Sequence, residues 1–119
     1  MAIIKRNWKE FKKKIEKNLT SLCEKFSGFY HVSGDAGDSL AYHSHMMFST
    51  WDRDNDRADI SCARGRNGAW WYQKCYESNL NGLYHRGNHT NYDGVNWNHW
   101  RGYYYSLQKT EMKIRPSKS

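Results

Sequence analysis

At 119 residues the chain has room for one domain of ordinary size. Apolar residues make up 38% of it, but aromatics reach 16%, with six Trp and nine Tyr, so a few large rings can build a core where aliphatics are scarce. A net charge of +7 favours anionic partners such as polyanionic glycans, nucleic acid or acidic membrane, while no apolar run is long enough to span a bilayer.

Residues 1–4 are too short an apolar start for a secretory leader, and Lys5 and Arg6 follow at once. Over residues 5–27, Trp8, Phe11, Ile15, Leu19, Leu22 and Phe26 recur at steps of three and four. That period predicts an amphipathic helix with Lys9, Lys12, Lys13 and Lys17 on its flanks. Its preferred role is packing on the core with a solvated basic back; the alternative is a membrane-surface or partner helix. Tyr30, His31 and Val32 read as a short strand, and residues 33–39 as a turn-rich loop. No Gly-Lys-Ser/Thr follows that loop, which sets aside a phosphate-binding reading. His43 and His45 are spaced to share one strand face, as metal ligands or, preferably, as surface histidines. Met46 and Met47 are read as gap-filling core residues.

The stretch from Phe48 reads FSTWDRDNDRADISCARGRNGAWWYQKC and ends at Cys75. Asp52, Asp54 and Asp56 alternate with Arg53 and Asn55. Alternate carboxylates in a loop can converge on a hard cation, and calcium best tolerates an irregular oxygen shell. The run is no EF-hand, because the sixth and twelfth positions from Asp52 hold Arg57 and Ala63. The alternative is a solvated turn whose acids pair with Arg53 and Arg57. Cys62 and Cys75 can close a disulfide worth roughly 3 kcal/mol by chain entropy, or stay reduced. Their spacing matches no CxxC metal or redox pattern.

Further on, Asn81-Gly82 signals a tight turn between Leu80 and Leu83-Tyr84. Asn18 and Asn88 head glycosylation acceptor triplets for a secreted chain. Trp97, Trp100, Tyr103, Tyr104 and Tyr105 flank Arg101-Gly102, either as a compact aromatic core, the preferred reading, or as rings that stack on bases or sugars. Residues 112–115 read as a last strand stopped at Pro116, with a mobile tail at 117–119. No GxSxG, HExxH or paired Cys/His nucleophile is present, so the chain is read as a binding module and not an enzyme.

The runs HVSGDAGDSLAYH, FSTWDRDNDR, GAWWYQKCYESNLNGLY, GVNWNHWRGYYYSL and EMKIRP together resemble the C-terminal half of a fibrinogen-like domain, in the manner of ficolins, tenascins and microfibril-associated glycoprotein 4. The likeness runs over residues 30–116, about three-quarters of the chain. It implies an α+β, loop-rich fold with short antiparallel strands over 30–119, preceded by the helical segment 1–29. NWKEFKK resembles the opening of such domains, but the Gly-Phe-Gly that usually follows is absent. Much of the family's central sheet and its first disulfide are then missing, and Cys23 is left odd: a free thiol, an intermolecular bridge or a relic.

The resemblance also implies a Cys62–Cys75 disulfide and a calcium site. The site takes the side chains of Asp54 and Asp56 and the carbonyls of Ala58 and Ile60, with Asp52 in support. A ligand pocket is implied next to it, after a cis peptide at Lys74–Cys75, from Arg66, Lys74, Cys75, Tyr76, Tyr92 and Asp93. Arg66, Tyr76 and Asp93 depart from the Tyr, His and Ala common in acetyl-group binders, which makes this pocket more charged. The function so implied is a secreted, calcium-binding, lectin-like module for glycans or acetylated groups in innate defence or matrix adhesion. The alternative is a fibrinogen- or angiopoietin-like domain that binds a peptide or protein receptor. Self-association into a homo-oligomer belongs to the same expectations. Nucleic acid ranks third, and such binding would weaken steeply with salt.

Overall fold

The computed structural model describes residues 34–112. The helix expected over 5–27, the strand over 30–32, Asn18, Cys23 and the last strand beyond Met112 lie outside the described residues.

Regular structure is sparse. In order come a 3-10 turn (Ala41–His43), α1 (Cys62–Gly65), β1 (Gly87–Asn88), α2 (Asn98–Arg101) and β2 (Tyr105–Ser106). The two strands pair antiparallel, Gly87 opposite Ser106 and Asn88 opposite Tyr105. Isolated antiparallel bridges join Ser49 to Trp70 and Ser78 to Trp97. Ser61 opens α1 by accepting the Arg64 N–H on its hydroxyl, and Gly102, at φ 73°, ends α2 in the left-handed region.

A chain with so little ladder must satisfy its backbone by other means, because a buried unpaired N–H or C=O is costly. Side chains do this here. Asn79 donates to the carbonyls of Arg66 and Gly94, both at 3.2 Å. Asn81 donates to Ala69 O at 2.9 Å, and Asn96 to Tyr105 O at 3.0 Å. The Ser106 hydroxyl accepts the Val95 N–H and donates to Leu83 O, each at 2.9 Å.

The core is built on three consecutive residues, Trp70, Trp71 and Tyr72, none more than 1% exposed. Phe48 meets Trp71 edge-on at 5.0 Å, and Trp70 meets Trp71 at 5.1 Å. Leu40, Met46, Cys62, Leu80 and Val95 pack around them. Burying these large rings stabilises the fold by roughly 1.5–3 kcal/mol each.

Several expectations change. His43 is neither a surface residue nor on a strand: it is fully buried at the end of the 3-10 turn. Its Nδ1 donates to Trp71 O at 2.8 Å, and its Nε2 accepts the N–H groups of Glu77 and Ser78 at 3.1 and 3.2 Å. Three backbone groups from a strandless stretch converge on one ring, which leaves no lone pair for a metal. Burial pushes its pKa down to about 4, against the upward pull of the Trp71 carbonyl. His45 is exposed at φ 64°. Met46 is core, but Met47 is 45% exposed, since adjacent residues here face opposite ways. The turn at Asn81-Gly82 forms, but over residues 79–82, with Gly82 N donating to Asn79 O at 2.9 Å. A Cβ on Gly82 would lie 2.2 Å from Gly94 O, so only glycine lets the two segments close here. The second aromatic block is core only in part: Trp97 and Tyr103 pack against the buried cluster, while Trp100 and Tyr104 are 46% and 55% exposed.

Candidate functional site

The acidic loop is organised by its own carboxylates. Asp54 Oδ1 accepts the Asp56 N–H at 3.0 Å. Asp56 Oδ1 accepts from Ala58 N at 2.9 Å, and its Oδ2 from Cys62 N at 2.8 Å. Asn55 roots the loop in the core: its N–H donates to Ser49 Oγ and its amide to Phe48 O, both at 2.9 Å. The Asp52 carboxylate accepts from the Thr50 hydroxyl at 2.7 Å, a supporting position.

Asp56 is half-buried, and burial foremost raises its pKa. The adjoining Asp54 raises it further, against the lowering pull of the Cys62 and Ala58 N–H groups. Among the described residues, neither Asp54 nor Asp56 forms an ion pair with Arg53 or Arg57. Nor does any described backbone hydrogen bond occupy the carbonyls of Ala58 and Ile60. Among the described residues no three His, Cys, Asp or Glu side chains group as metal ligands. The expected set needs only two such side chains plus two carbonyls, and oxygens of this kind are what calcium takes. Two adjoining acids with no cationic partner among the described residues fit such an ion.

Cys62 begins α1 and is bonded to Cys75, with Cα atoms 5.5 Å apart. The Lys74–Cys75 peptide is cis, where the resemblance places it. This segment is tied back at several points. Arg57 N donates to Gln73 O at 3.0 Å, Gln73 N to Cys75 O at 2.8 Å, and the Gln73 amide to Tyr42 O at 2.7 Å. The Tyr42 hydroxyl donates to Lys74 O and accepts from Lys74 N, both at 3.3 Å.

After Cys75, Tyr76 stacks on Tyr92 with centroids 5.1 Å apart. Tyr103 closes the group, 4.6 Å from Tyr92 and 5.6 Å from Tyr76. The Arg66 guanidinium lies 4.7 Å over Tyr92, and Arg66 Nε is buried with no hydrogen-bond partner among the described residues. The Tyr76 hydroxyl donates to Asn96 Oδ1 at 2.8 Å. Burial pushes the phenols of Tyr76 and Tyr92 well above their ordinary range, so both stay neutral donors.

Three of the six expected pocket residues thus meet, Arg66, Tyr76 and Tyr92, with Cys75 next to Tyr76 in the chain. Lys74 is exposed beside them. Asp93 is 9% exposed and turned to other work, accepting Asn67 Nδ2 at 2.9 Å and lying 2.6 Å from His85 Nε2. Tyr103 and Tyr104 join this face, against Tyr92, although the sequence favours a compact core for that run over the stacking alternative. Gly102 before them, a residue suited to redirecting the chain, was the available signal.

The family model of the fibrinogen beta and gamma chains, C-terminal globular domain, matches residues 6–117. Ryncolin-4 of Cerberus rynchops is 56% identical over 90 residues, 75% of this chain and 26% of that protein. Techylectin-5A of Tachypleus tridentatus is 54% identical over 87 residues, 72% of this chain and 30% of that protein. The fibrinogen-like globe domain of human ANGPTL6 superposes with a TM-score of 0.67 at 50% identity, over 77% of this chain and 42% of that one. The chain therefore spans less than a third of the length of these curated relatives. With the family model covering nearly the whole sequence and the globe fold shared at half-identical residues, the chain belongs to the fibrinogen C-terminal domain family.

Proposed function

We propose that this chain is an extracellular, calcium-binding recognition module whose Tyr76–Tyr92–Tyr103 face takes a glycan or acetylated group. The observation that carries this reading is the aromatic face itself. Three phenol rings meet beside a guanidinium stacked on one of them and held there with an unused buried donor. Flat rings cover the apolar faces of a sugar or an acetyl methyl, while Arg66 offers its N–H groups to a carbonyl or carboxylate. Calcium would be held by the Asp54 and Asp56 carboxylates and the Ala58 and Ile60 carbonyls, supplying positive charge that offsets the repulsion of the acids. The ligand does not touch it. Asp56 instead links the loop to Cys62, and the disulfide links Cys62 to Cys75 and the face.

Titration of the oxidised protein with N-acetylated sugars, with and without chelator, tests both halves. Calcium at a hundredfold excess over its dissociation constant should add about 2.7 kcal/mol of stability. Asp54→Asn with Asp56→Asn should abolish that gain and weaken sugar binding together. Tyr92→Ala should abolish binding and leave the calcium gain intact. Stability and binding both indifferent to chelator would remove calcium from the proposal. The second reading, a face for a peptide or protein receptor, is favoured by the charge of Arg66. It predicts tight binding to one protein that free acetylated sugar does not displace.

A further inference from the structure

Apart from the aromatic face, the surface carries an apolar groove of about 280 Å³. Ala36, Leu80, Trp97, Trp100 and Leu107 line it, and Thr110 and Glu111 complete its wall. None of these belongs to the acidic loop or to the Tyr76–Tyr92 face. The groove is open to the surface and its lining is apolar, so it suits apolar side chains from a neighbouring element.

The start of the described chain is held at this groove. Trp97 Nε1 donates to Gly37 O at 3.0 Å, and His99 N donates to Ser39 Oγ at 2.9 Å. Ser39 Oγ also lies 2.8 Å from His99 Nδ1. Gly37 sits so close to α2 that a Cβ there would meet His99 Cβ at 2.7 Å, and its φ is +72°. The loop carrying Ala36 is thus pinned onto the helix carrying Trp100. The described chain therefore begins at the groove's edge, two positions before Ala36.

Residues 1–33 bring six large apolar side chains at helical spacing: Trp8, Phe11, Ile15, Leu19, Leu22 and Phe26. The opposite end of the described chain leaves beside the same groove, at Glu111 and Met112. However, residues 113–119 offer a single large aliphatic, Ile114. A span of up to roughly 3.3–3.6 Å per residue lets the chain turn between residue 33 and Phe26 and lay that face back on α2.

We propose that residues 8–26 form a helix that docks its apolar face in cis on the groove, with large side chains entering against Trp97, Trp100 and Leu107. This surface is independent of calcium and of the recognition face.

Site-specific photo-crosslinking in the full oxidised chain tests it. Phe11→benzoylphenylalanine and Leu19→benzoylphenylalanine are irradiated in an equal mixture of isotopically light and heavy chains, and crosslinked peptides are mapped by mass. The expected result is crosslinks from position 11 or 19 to residues 97–107, within light or within heavy chains only. Lys9→benzoylphenylalanine, on the flank, should give few or none. Light–heavy crosslinks into the groove would mean that a second copy fills it. Crosslinks elsewhere, or to the groove equally from position 9, would mean that the apolar face is not its occupant. Each of those outcomes overturns the proposal. As a check, Phe11→Glu and Trp100→Glu should each lower the melting temperature, and the double variant should fall no further than the worse single one. Additive losses would also overturn it.

Discussion

Two aromatic triplets of similar composition meet opposite fates. Trp70, Trp71 and Tyr72 are at most 1% exposed, while in the Tyr103, Tyr104 and Tyr105 run Tyr104 is 55% exposed. Hydrophobicity alone does not separate them; backbone partners do. Trp70 exchanges both backbone hydrogen bonds with Ser49, at 2.9 and 3.2 Å. His43 takes the carbonyl of Trp71, and Asn79 takes the hydroxyl of Tyr72. With these groups answered, and the Trp70 indole N–H left without a partner among the described residues, the first triplet can be enclosed on both sides. The second follows the turn at Gly102 and runs into the two-residue pairing with β1. There Tyr103 packs on Tyr76 and Tyr92, Tyr104 on Tyr92, and Tyr105 on Trp100, with Arg101 4.6 Å over Tyr105. Rings enclosed by answered backbone become core, and rings stacked at a sparse edge stay partly exposed.

The sharpest way to break this comparison is to truncate one ring in each triplet. Trp71→Ala should destabilise by about 3–5 kcal/mol, because nothing nearby can fill the space without leaving its own hydrogen bonds. Tyr104→Ala should stay within about 0.5 kcal/mol while weakening acetylated-sugar binding. Urea unfolding of both variants gives the numbers. Equal losses would mean that the second triplet is core after all.

His43 is the next largest lever, since it holds the inner triplet through the Trp71 carbonyl. Its pKa is depressed, so the stability it contributes is present above the ordinary histidine value of 6.5 and is lost as pH falls towards about 4. Over that window the unfolded chain binds the extra proton, and stability should fall by roughly 3 kcal/mol. His43→Gln should be less stable at neutral pH and should lack this part of the pH dependence. Comparing urea midpoints of the two proteins between pH 4 and 7 isolates the effect, because His89, whose pKa burial also lowers, is common to both. Parallel curves would mean that His43 is not the group through which acid opens the core.

How much of this was legible follows the same divide. The motif runs carried the family, the Cys62–Cys75 pairing, the cis bond at Lys74 and the meeting of Arg66, Tyr76 and Tyr92. The roles of His43, Asn79 and Asn96 were not legible, because a polar residue that answers distant backbone leaves no periodic mark. His43 reaches 28 residues to Trp71 and 34 to Glu77. The split between Met46 and Met47, and between the two aromatic triplets, was hidden for the same reason. With neither helix nor strand to impose a period, neighbouring residues diverge according to contacts far along the chain.

The smallest expected effect lies in the loop that joins the inner triplet to the outer face. Without calcium, the Asp56 pKa is raised by burial and then by Asp54. The sign follows from linkage: the folded state holds this proton more tightly than the unfolded one, so the contribution is greatest at low pH and is lost as pH rises through the folded value. In chelator, therefore, the difference in stability between the unmutated protein and Asp56→Asn should move against the unmutated protein as pH rises through the carboxylate range. The loop is half-exposed and solvent-screened, so the change should stay within about 0.5 kcal/mol. With calcium the sign should reverse, because the metal binds only the deprotonated carboxylate. Melting both proteins from pH 3 to 6, in chelator and in calcium, reads this directly. A difference that has the same slope in both conditions would show that the Asp54 and Asp56 pair holds no cation. The outer face would then have to keep its order through the disulfide and the tyrosine stack alone.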